Sequence, residues 1–342
     1  MRNLTSIPVL AFALGVLAAS LLRNELRLPE PVYRAISFYL LLAIGLKGGV
    51  ALRESGIAGV ALPATAAIAL GLLIPIAAYH VLRLLTRLSA LDRGAMAAHY
   101  GSTSLVTFTA ALALVETIGL PIEGHVATLV VVLEVPGIVV GLALARRSMN
   151  RVPATAPVPA ASGRVLTAVR DEPPEPAGAS MGEALREVLT GPSVLLLAGG
   201  LAIGFITGPA GYEPVQPLFS GLFTGVLALF LLHLGAVAGG RLSAIRSAGP
   251  GMVLFATAFP LVVGAVGVLV GAAVGMSTGG AAVLGVLCAS ASYIAAPAAV
   301  GLALPQADTG LCLTSSLALT FPFNLVVGIP AFTALAMVVI PT

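Results

Sequence analysis

The sequence has the composition of a membrane protein. It contains 342 residues, of which 58% are hydrophobic and only 9% are charged. Soluble domains carry about a quarter charged residues, so this composition excludes a soluble globular fold and predicts an integral membrane protein. The net charge of +3 gives no indication of a nucleic-acid partner. Cys288 and Cys312 lie inside apolar runs, fit no metal-binding spacing, and are interpreted as small packing residues.

Turn signals and arginines divide the chain into about ten apolar runs, each close to the roughly 20 residues that a transmembrane helix needs. The first run resembles a signal peptide, but we interpret it as a membrane helix because further spans follow it. The predicted spans lie near 5–22, 33–52, 57–82, 94–118, 125–145, 189–208, 216–239, 251–273, 280–303 and 310–340.

A segment rich in proline and charge separates the first five runs from the second five. It includes "RVPATAPVPAASGRVLTAVRDEPPEPAGAS", a composition that is typical of disorder. The following "MGEALREVL" is predicted to form a short interfacial helix. The chain therefore divides into a first five-helix repeat at 1–147, a disordered cytoplasmic linker at 148–187, and a second five-helix repeat at 188–342.

The arginines indicate how the chain is oriented. If the N-terminus lies outside, most arginines fall in cytoplasmic loops, and the outer side keeps only Arg2, Lys47 and Arg53. The positive-inside rule then predicts a multi-pass protein of the inner (plasma) membrane with both termini outside. Lys47 is predicted to extend its ammonium group to the outer interface.

Short stretches of similar sequence occur in both halves of the chain. "LLAIGLKGG" at 41–49 resembles "LLHLGAVAGG" at 231–240, and "PGIVVG" at 136–141 resembles "PFNLVVG" at 322–328. Because each half has five spans, an odd number, the second half must run opposite to the first. The predicted fold is all-α, with about ten transmembrane helices in a 5+5 inverted-topology repeat, a plan common among secondary transporters.

Two polar stretches interrupt the fourth and ninth spans at the same depth. "HYGSTSLVTF" at 99–108 and "SASYIAAP" at 290–297 each lie about ten residues into the membrane, which at 1.5 Å per residue is close to the midplane. Both helices are therefore predicted to be broken. Half-helix N-termini suit an anion, and hydroxyl and carbonyl oxygens suit Na⁺. Serines and threonines in membrane spans also serve simply as packing residues.

Glu134 and three prolines lie near the same level. A carboxylate at the bilayer centre costs about 2.5–3.5 kcal/mol on insertion scales, so Glu134 is predicted to be a cation ligand or a proton carrier, with a protonated packing glutamate as the alternative. Pro136, Pro297 and Pro322 are predicted to interrupt their helices and to free the carbonyls four residues earlier.

These stretches resemble the sodium-dependent bicarbonate permease (SbtA-type) family, in its broad bacterial branch. The resemblance covers both halves in order and leaves out only the linker. The matching pieces are "LLLAIGLKGGVALRESG", "HYGSTSLVTFTAAL", "LEVPGIVVGLALARR", "LTGPSVLLLAGGLAIG", "SASYIAAPAAVG" and "SLALTFPFNLVVGIP".

The resemblance implies a homotrimer that couples Na⁺ to the uptake of bicarbonate, by symport, at the crossing of the broken helices. Some members bind a PII-like regulator on the cytoplasmic face. Carried over by position, the substrate-binding residues are Gly101, Ser102, Thr103, Ser104, Thr107, Ser290 and Ser292. Glu134, Thr320 and Asn324 form the implied cation site. Cyanobacterial members carry an aspartate where this chain has Tyr293, and a tyrosine supplies no negative charge near neutral pH.

Other functions remain open from the residues alone. The first alternative is a proton-coupled or exporting carrier of another small anion on the same scaffold. An intramembrane hydrolase using His99 with Ser102 or Ser104 lacks an orienting carboxylate and a nucleophile elbow, so no enzyme activity is predicted, and no cofactor beyond Na⁺. A sensor or channel is the third class.

Overall fold

The computed structural model describes residues 6–21, 26–56, 58–149, 180–241, 245 and 248–340. These residues are mostly helical and contain no strand. Seven of the described helices are long and apolar enough to cross a membrane, as the composition predicts. The central part of the predicted linker, 150–179, lies outside the described residues, as do Arg2 and several of the loop arginines.

The helices follow the predicted order of spans. They are α1 (Ile7–Leu21), α2 (Glu30–Ser55), α3 (Ala61–Leu85), α4 (Ala90–Gly101), α5 (Leu105–Thr117), α6 (Val126–Met149), α7 (Met181–Thr190), α8 (Pro192–Tyr212), α9 (Phe223–Gly240), α10 (Pro250–Ala273), α11 (Thr278–Ala289), α12 (Ala295–Ala303) and α13 (Thr309–Val339). The predicted fourth span corresponds to α4 and α5, and the predicted ninth span to α11 and α12.

Glycines bring two pairs of helices into backbone contact. Gly45 of α2 lies against Gly200 of α8, and Gly15 of α1 lies against Gly235 of α9. A methyl group at Gly45 would lie 2.9 Å from the Cα of Gly200, which is closer than carbon atoms pack. Because small residues let membrane helices approach closely, these glycines fix α1 on α9 and α2 on α8.

Both predicted breaks are present in the described chain. Residues 102–104 separate α4 from α5, and residues 290–294 separate α11 from α12. Ser102 and Ser290 both have extended backbone torsions (φ −93°, ψ 157° and φ −83°, ψ 160°). The two interruptions thus have the same local geometry.

The prolines act differently from one another. Pro136 lies inside the uninterrupted helix α6, so the predicted interruption of the fifth span is wrong. Pro297 lies in the first turn of α12, where the missing N–H has no helical partner to lose, so it begins a half-helix. Pro322 lies between two π-helical turns of α13, Thr314–Thr320 and Asn324–Gly328.

The end of the predicted linker is ordered. Ser180 and Glu183 form a capping box that begins α7, and the short helix buries Ala184 and Val188. Hydrogen bonds from the backbone and side chain of Ser180 lower the pKa of the Glu183 carboxyl below its usual value. The predicted short helix is therefore present, and residues 180–187, which the sequence assigns to the linker, are ordered.

Candidate functional site

The two broken helices cross in opposite directions. The segment after α5 reaches the start of α11, where the Ser277 hydroxyl donates to Glu123 Oε2 (2.9 Å). The segment after α12 reaches the start of α4, where the Asp308 N–H donates to Asp92 Oδ1 (2.9 Å). Each pair of half-helices therefore ends beside the beginning of the other, and the two breaks meet between them.

The breaks are bonded directly to each other. The Ser104 N–H donates to Ser290 Oγ and the Ser292 N–H donates to the His99 carbonyl, both at 2.8 Å. Ser104 Oγ also accepts from the Thr107 N–H at 3.2 Å, so it caps the N-terminus of α5. Two half-helix N-termini, α5 and α12, therefore begin at this crossing.

Ser292 repeats this arrangement in the second half. Its Oγ accepts from the Ala296 N–H at 3.1 Å, in the first turn of α12. Ser104 and Ser292 thus hold equivalent positions, each as the hydroxyl that precedes a half-helix. Side chains of both line a cavity of about 20 Å³, which has room for about one water molecule.

The cavity wall contains both polar and apolar side chains. Thr103 and Glu134 complete its polar side together with the two serines and Tyr293. The apolar side is formed by Leu41, Leu105, Val130, Leu197 and Ile294. Helices α2 and α8 therefore close the cavity against the crossing.

Glu134 is the acidic residue of the cavity. It is 6% exposed, and within the described part of the chain its carboxyl has no hydrogen-bond or ion-pair partner. An unpaired buried carboxylate is unstable, so this group requires either a proton or a bound cation. No cluster of three or more His, Cys, Asp or Glu side chains that suits a metal occurs in the described ranges.

Tyr293 forms part of the same wall. Its hydroxyl lies beside Ser104, but it is buried and makes no hydrogen bond of normal geometry with any residue that the structure describes. Its ring packs edge-on against Phe321, with centroids 5.7 Å apart. The wall of the cavity thus contains a tyrosine beside the two serines.

Four predicted substrate residues lie outside the cavity lining. Ser290 bonds the Ser104 backbone, and the Thr107 N–H is held by Ser104. Gly101 is packed against Pro75 and Gly137. Ser102 is buried, and its hydroxyl has no partner among the described residues. These residues shape the crossing, whereas Thr103, Ser104 and Ser292 face the cavity.

Two predicted cation ligands also lie apart from the cavity. Thr320 Oγ1 donates to the Ala256 carbonyl (2.8 Å) and contacts Tyr100 Oη (2.5 Å), which also contacts Ser315 Oγ (2.7 Å). Asn324 Nδ2 donates to the Ala289 carbonyl (2.7 Å) at the end of α11. The hydroxyl cluster around Tyr100 was missed from the sequence, because helical spacing alone does not place α4 against α13.

A second cavity lies on the predicted outer side. It measures about 140 Å³ and is lined by residues that include Lys47, Glu116 and Glu123. Lys47 Nζ forms an ion pair with Glu116 Oε1 at 3.0 Å and lies 5.4 Å from the centre of the Phe223 ring. The ammonium group therefore has a protein partner, where the sequence predicted only extension to the interface.

The sequence profile of the Na⁺-dependent bicarbonate transporter superfamily matches residues 8–337. The chain belongs to this superfamily. The match spans both sets of helices and both breaks, so it confirms the resemblance that the motifs indicate. No curated protein matches the chain. Membership makes the chain a multi-pass membrane transport protein. Both breaks therefore lie in a protein whose superfamily transports ions.

Proposed function

We propose that the protein is a secondary active transporter that couples Na⁺ to bicarbonate uptake across the inner membrane. The observation that carries this proposal is the convergence on one buried cavity of two half-helix N-termini, each with a serine hydroxyl that accepts from a first-turn N–H. Helix N-termini present a positive dipole end, which suits a small anion. Bicarbonate, the substrate for which the superfamily is named, is such an anion.

We assign the anion to the region between Ser104 and Ser292. Thr103 would supply a third hydroxyl from the same wall. Bicarbonate both donates and accepts hydrogen bonds, and serine and threonine hydroxyls do the same. Ser102, Ser290, Thr107 and Gly101 would position these groups by holding the two breaks together.

We assign the coupling cation to Glu134. Its unpaired carboxyl faces the cavity that the hydroxyls line, and hard cations prefer oxygen ligands. Thr320 and Asn324 would contribute indirectly, by fixing α13 against α10 and against the end of α11. If Na⁺ binds here, Tyr293→Asp should increase the apparent affinity for Na⁺, because it adds a carboxylate to the same wall.

We further propose a ten-helix inverted repeat. The N-caps Ser89 and Ser277 and the cavity serines Ser104 and Ser292 show the same spacing within their halves. The pairing of α1 with α9 and of α2 with α8 is also reciprocal, as expected if α1 corresponds to α8 and α2 to α9. The domain limits 1–147, 148–187 and 188–342, outer termini, a homotrimer and a PII-like cytoplasmic regulator belong to this proposal.

Uptake of labelled bicarbonate into proteoliposomes tests the coupling. We expect uptake to require an inward Na⁺ gradient and to be lost when choline replaces Na⁺. Uptake that continues unchanged in choline would contradict Na⁺ coupling. Saturation with rising bicarbonate distinguishes a carrier from a channel.

Single hydroxyl deletions test the binding residues. We expect Ser104→Ala and Ser292→Ala each to raise the KM for bicarbonate about tenfold, a cost near that of one hydrogen bond to a charged group. Thr65→Ala is the control, because this exposed hydroxyl bonds only the Ala61 carbonyl of its own helix. Normal transport by both serine variants would place the site elsewhere.

The unpaired carboxyl of Glu134 also favours a second function, proton-coupled transport of a small anion. Glu134→Gln distinguishes the two, because glutamine cannot carry a proton. A proton-coupled carrier would lose its response to a pH gradient, whereas a Na⁺-coupled carrier would lose Na⁺ dependence and show no pH-driven uptake before or after the change.

A further inference from the structure

A third cavity lies next to the proposed site, toward the side to which the arginines assign the cytoplasm. It measures about 250 Å³ and is called the inner cavity here. Its rim, on the side away from the proposed site, is formed by residues of the first turns of α2, including Glu30, Arg34 and Ser37, and by Pro192 at the start of α8. It extends from that rim to the break between α11 and α12.

The inner cavity shares part of its wall with the cavity between Ser104 and Ser292, which is called the central cavity here. Leu41, Leu105 and Ile294 line both cavities. The outer cavity beside Lys47 shares no lining residue with the central cavity within the described chain. Of these two neighbours, the inner cavity is thus the one that shares part of its wall with the central cavity, and the shared part is apolar.

The sizes of the cavities indicate what this layer must do. The central cavity holds about one water molecule, and the inner cavity is roughly ten times larger. An anion that occupies the central cavity together with a cation must therefore displace part of its wall. Leucine and isoleucine side chains have no hydrogen bonds to break when they change rotamer, and apolar constrictions are a common gate in ion pathways.

The rim of the inner cavity carries accessible charge. Arg34 Nε pairs with Glu30 Oε1 at 2.8 Å, and both side chains are about two-thirds exposed (68% and 64%). Tyr33 stacks on Phe230 with ring centres 5.3 Å apart, which joins α2 to α9 at this rim. Aromatic stacking thus joins two helices on one side of the rim, and an exposed guanidinium group lies at its mouth.

We infer that the inner cavity is the passage between the binding site and the cytoplasm, and that Leu41, Leu105 and Ile294 form its gate. This inference rests on the proposed site and on the orientation of the chain. Bicarbonate released from Ser104 and Ser292 passes the three apolar side chains, enters the inner cavity, and leaves beside Arg34.

Cysteine accessibility tests the passage. Ser37→Cys places a thiol in the inner cavity. Leu254→Cys places one on the face of α10 that points away from the rest of the protein, where the leucine is 51% exposed. In inside-out vesicles we expect a charged methanethiosulfonate to modify Ser37→Cys at least about tenfold faster, because thiolate reactivity requires water. The unsubstituted chain is the blank, since Cys288 and Cys312 are buried.

A matched pair of leucines tests the gate. Leu41 lines both cavities, and its neighbour Leu40 lines only the inner one; both are buried (4% and 2% exposed). With Ser292→Cys as the reporter behind the gate, Leu41→Ala should speed its modification from the cytoplasmic side about tenfold, since reactivity follows access. Leu40→Ala should leave the rate nearly unchanged.

The outcomes separate this inference from the proposed function. If the charged reagent fails at Ser37→Cys while a lipid-soluble maleimide labels it, the cavity is filled by lipid and the passage is wrong. Equal rates for Leu41→Ala and Leu40→Ala would overturn the gate. Neither measurement uses bicarbonate, so a failure of bicarbonate uptake with normal accessibility would contradict only the substrate assignment.

Discussion

Helices α6 and α13 each come after a broken span, and each packs against the carboxyl end of a half-helix. The contacts that they make there differ. Gly137 of α6 lies directly against the Gly101 backbone at the end of α4, whereas Asn324 of α13 donates a side-chain hydrogen bond to Ala289 at the end of α11. Backbone contact leaves no room for a side chain, and the amide contact requires one.

The polar groups of α6 and α13 also differ in what they face. On the α6 side, close packing of glycine leaves Glu134, three residues earlier, to face the cavity. On the α13 side, residues 309–339 contain no acidic residue, and the polar groups of Thr320 and Asn324 bond neighbouring helices. The cavity therefore takes its carboxyl from α6, whereas the polar groups of α13 hold neighbouring helices.

The largest expected effect comes from Gly137→Ala. The added methyl group would overlap the Gly101 carbonyl oxygen, and overpacking of this kind costs about 3 kcal/mol in the free energy of unfolding. Denaturation of the detergent-solubilised protein measures the loss. Gly225→Ala on α9 is the control, because a methyl group there meets no atom within 4 Å. Equal stability of the two variants would show that α6 does not close on α4 through backbone contact.

Asn324→Ala probes the corresponding contact in the second half. The side chain is fully buried, and its removal leaves the Ala289 carbonyl without its donor. We expect a loss of about 1.5 kcal/mol, near the upper end for hydrogen bonds between membrane helices. Thr333→Ala removes a hydroxyl that bonds only its own helix and should cost less. If both lose the same stability, the amide does not join α13 to α11.

The caps of the first half-helices offer a finer comparison. Ser89→Ala and Ser277→Ala should each cost about 1 kcal/mol, the usual loss for an N-cap serine. The loss at Ser277 should be the larger, because its hydroxyl also reaches Pro121 and Glu123 on the loop after α5. Among the described residues, the Ser89 hydroxyl bonds only Asp92, in the first turn of its own helix. Thermal unfolding of the two variants side by side checks the order, and a larger loss at Ser89 would contradict it.

The smallest effect concerns the ion pair of Lys47 and Glu116. The two side chains are 27% and 43% exposed, and such pairs contribute about 0.5 kcal/mol. A double-mutant cycle with Lys47→Met and Glu116→Gln should give a coupling of this size that falls in high salt. A coupling that is several times larger and independent of salt would show a desolvated pair.

Much of the helix order follows from the sequence, because length, hydropathy and turn residues act locally. Both breaks were predicted from runs of hydroxyls near Gly101 and before Pro297. Pro136 was misjudged because a proline inside a long helix is tolerated when neighbouring helices pack around it. Gly101, Gly137 and Pro75 meet there, a contact between three separate helices that no local pattern contains.

The site was only partly predictable for the same reason. Depth in the membrane brought Ser104, Ser292 and Glu134 to one level, and the three line one cavity. Thr320 lies at the same predicted depth but faces Ala256 and Tyr100 instead. Depth depends on position along a helix, whereas the direction of a side chain depends on helix rotation, which the π-helical turns of α13 alter.

An experimental density map of the protein in lipid with saturating Na⁺ and bicarbonate tests the proposed site most directly. We expect anion density between the hydroxyls of Ser104 and Ser292, with cation density beside the carboxyl of Glu134. Ordered anion density elsewhere, with this cavity still closed, would contradict it.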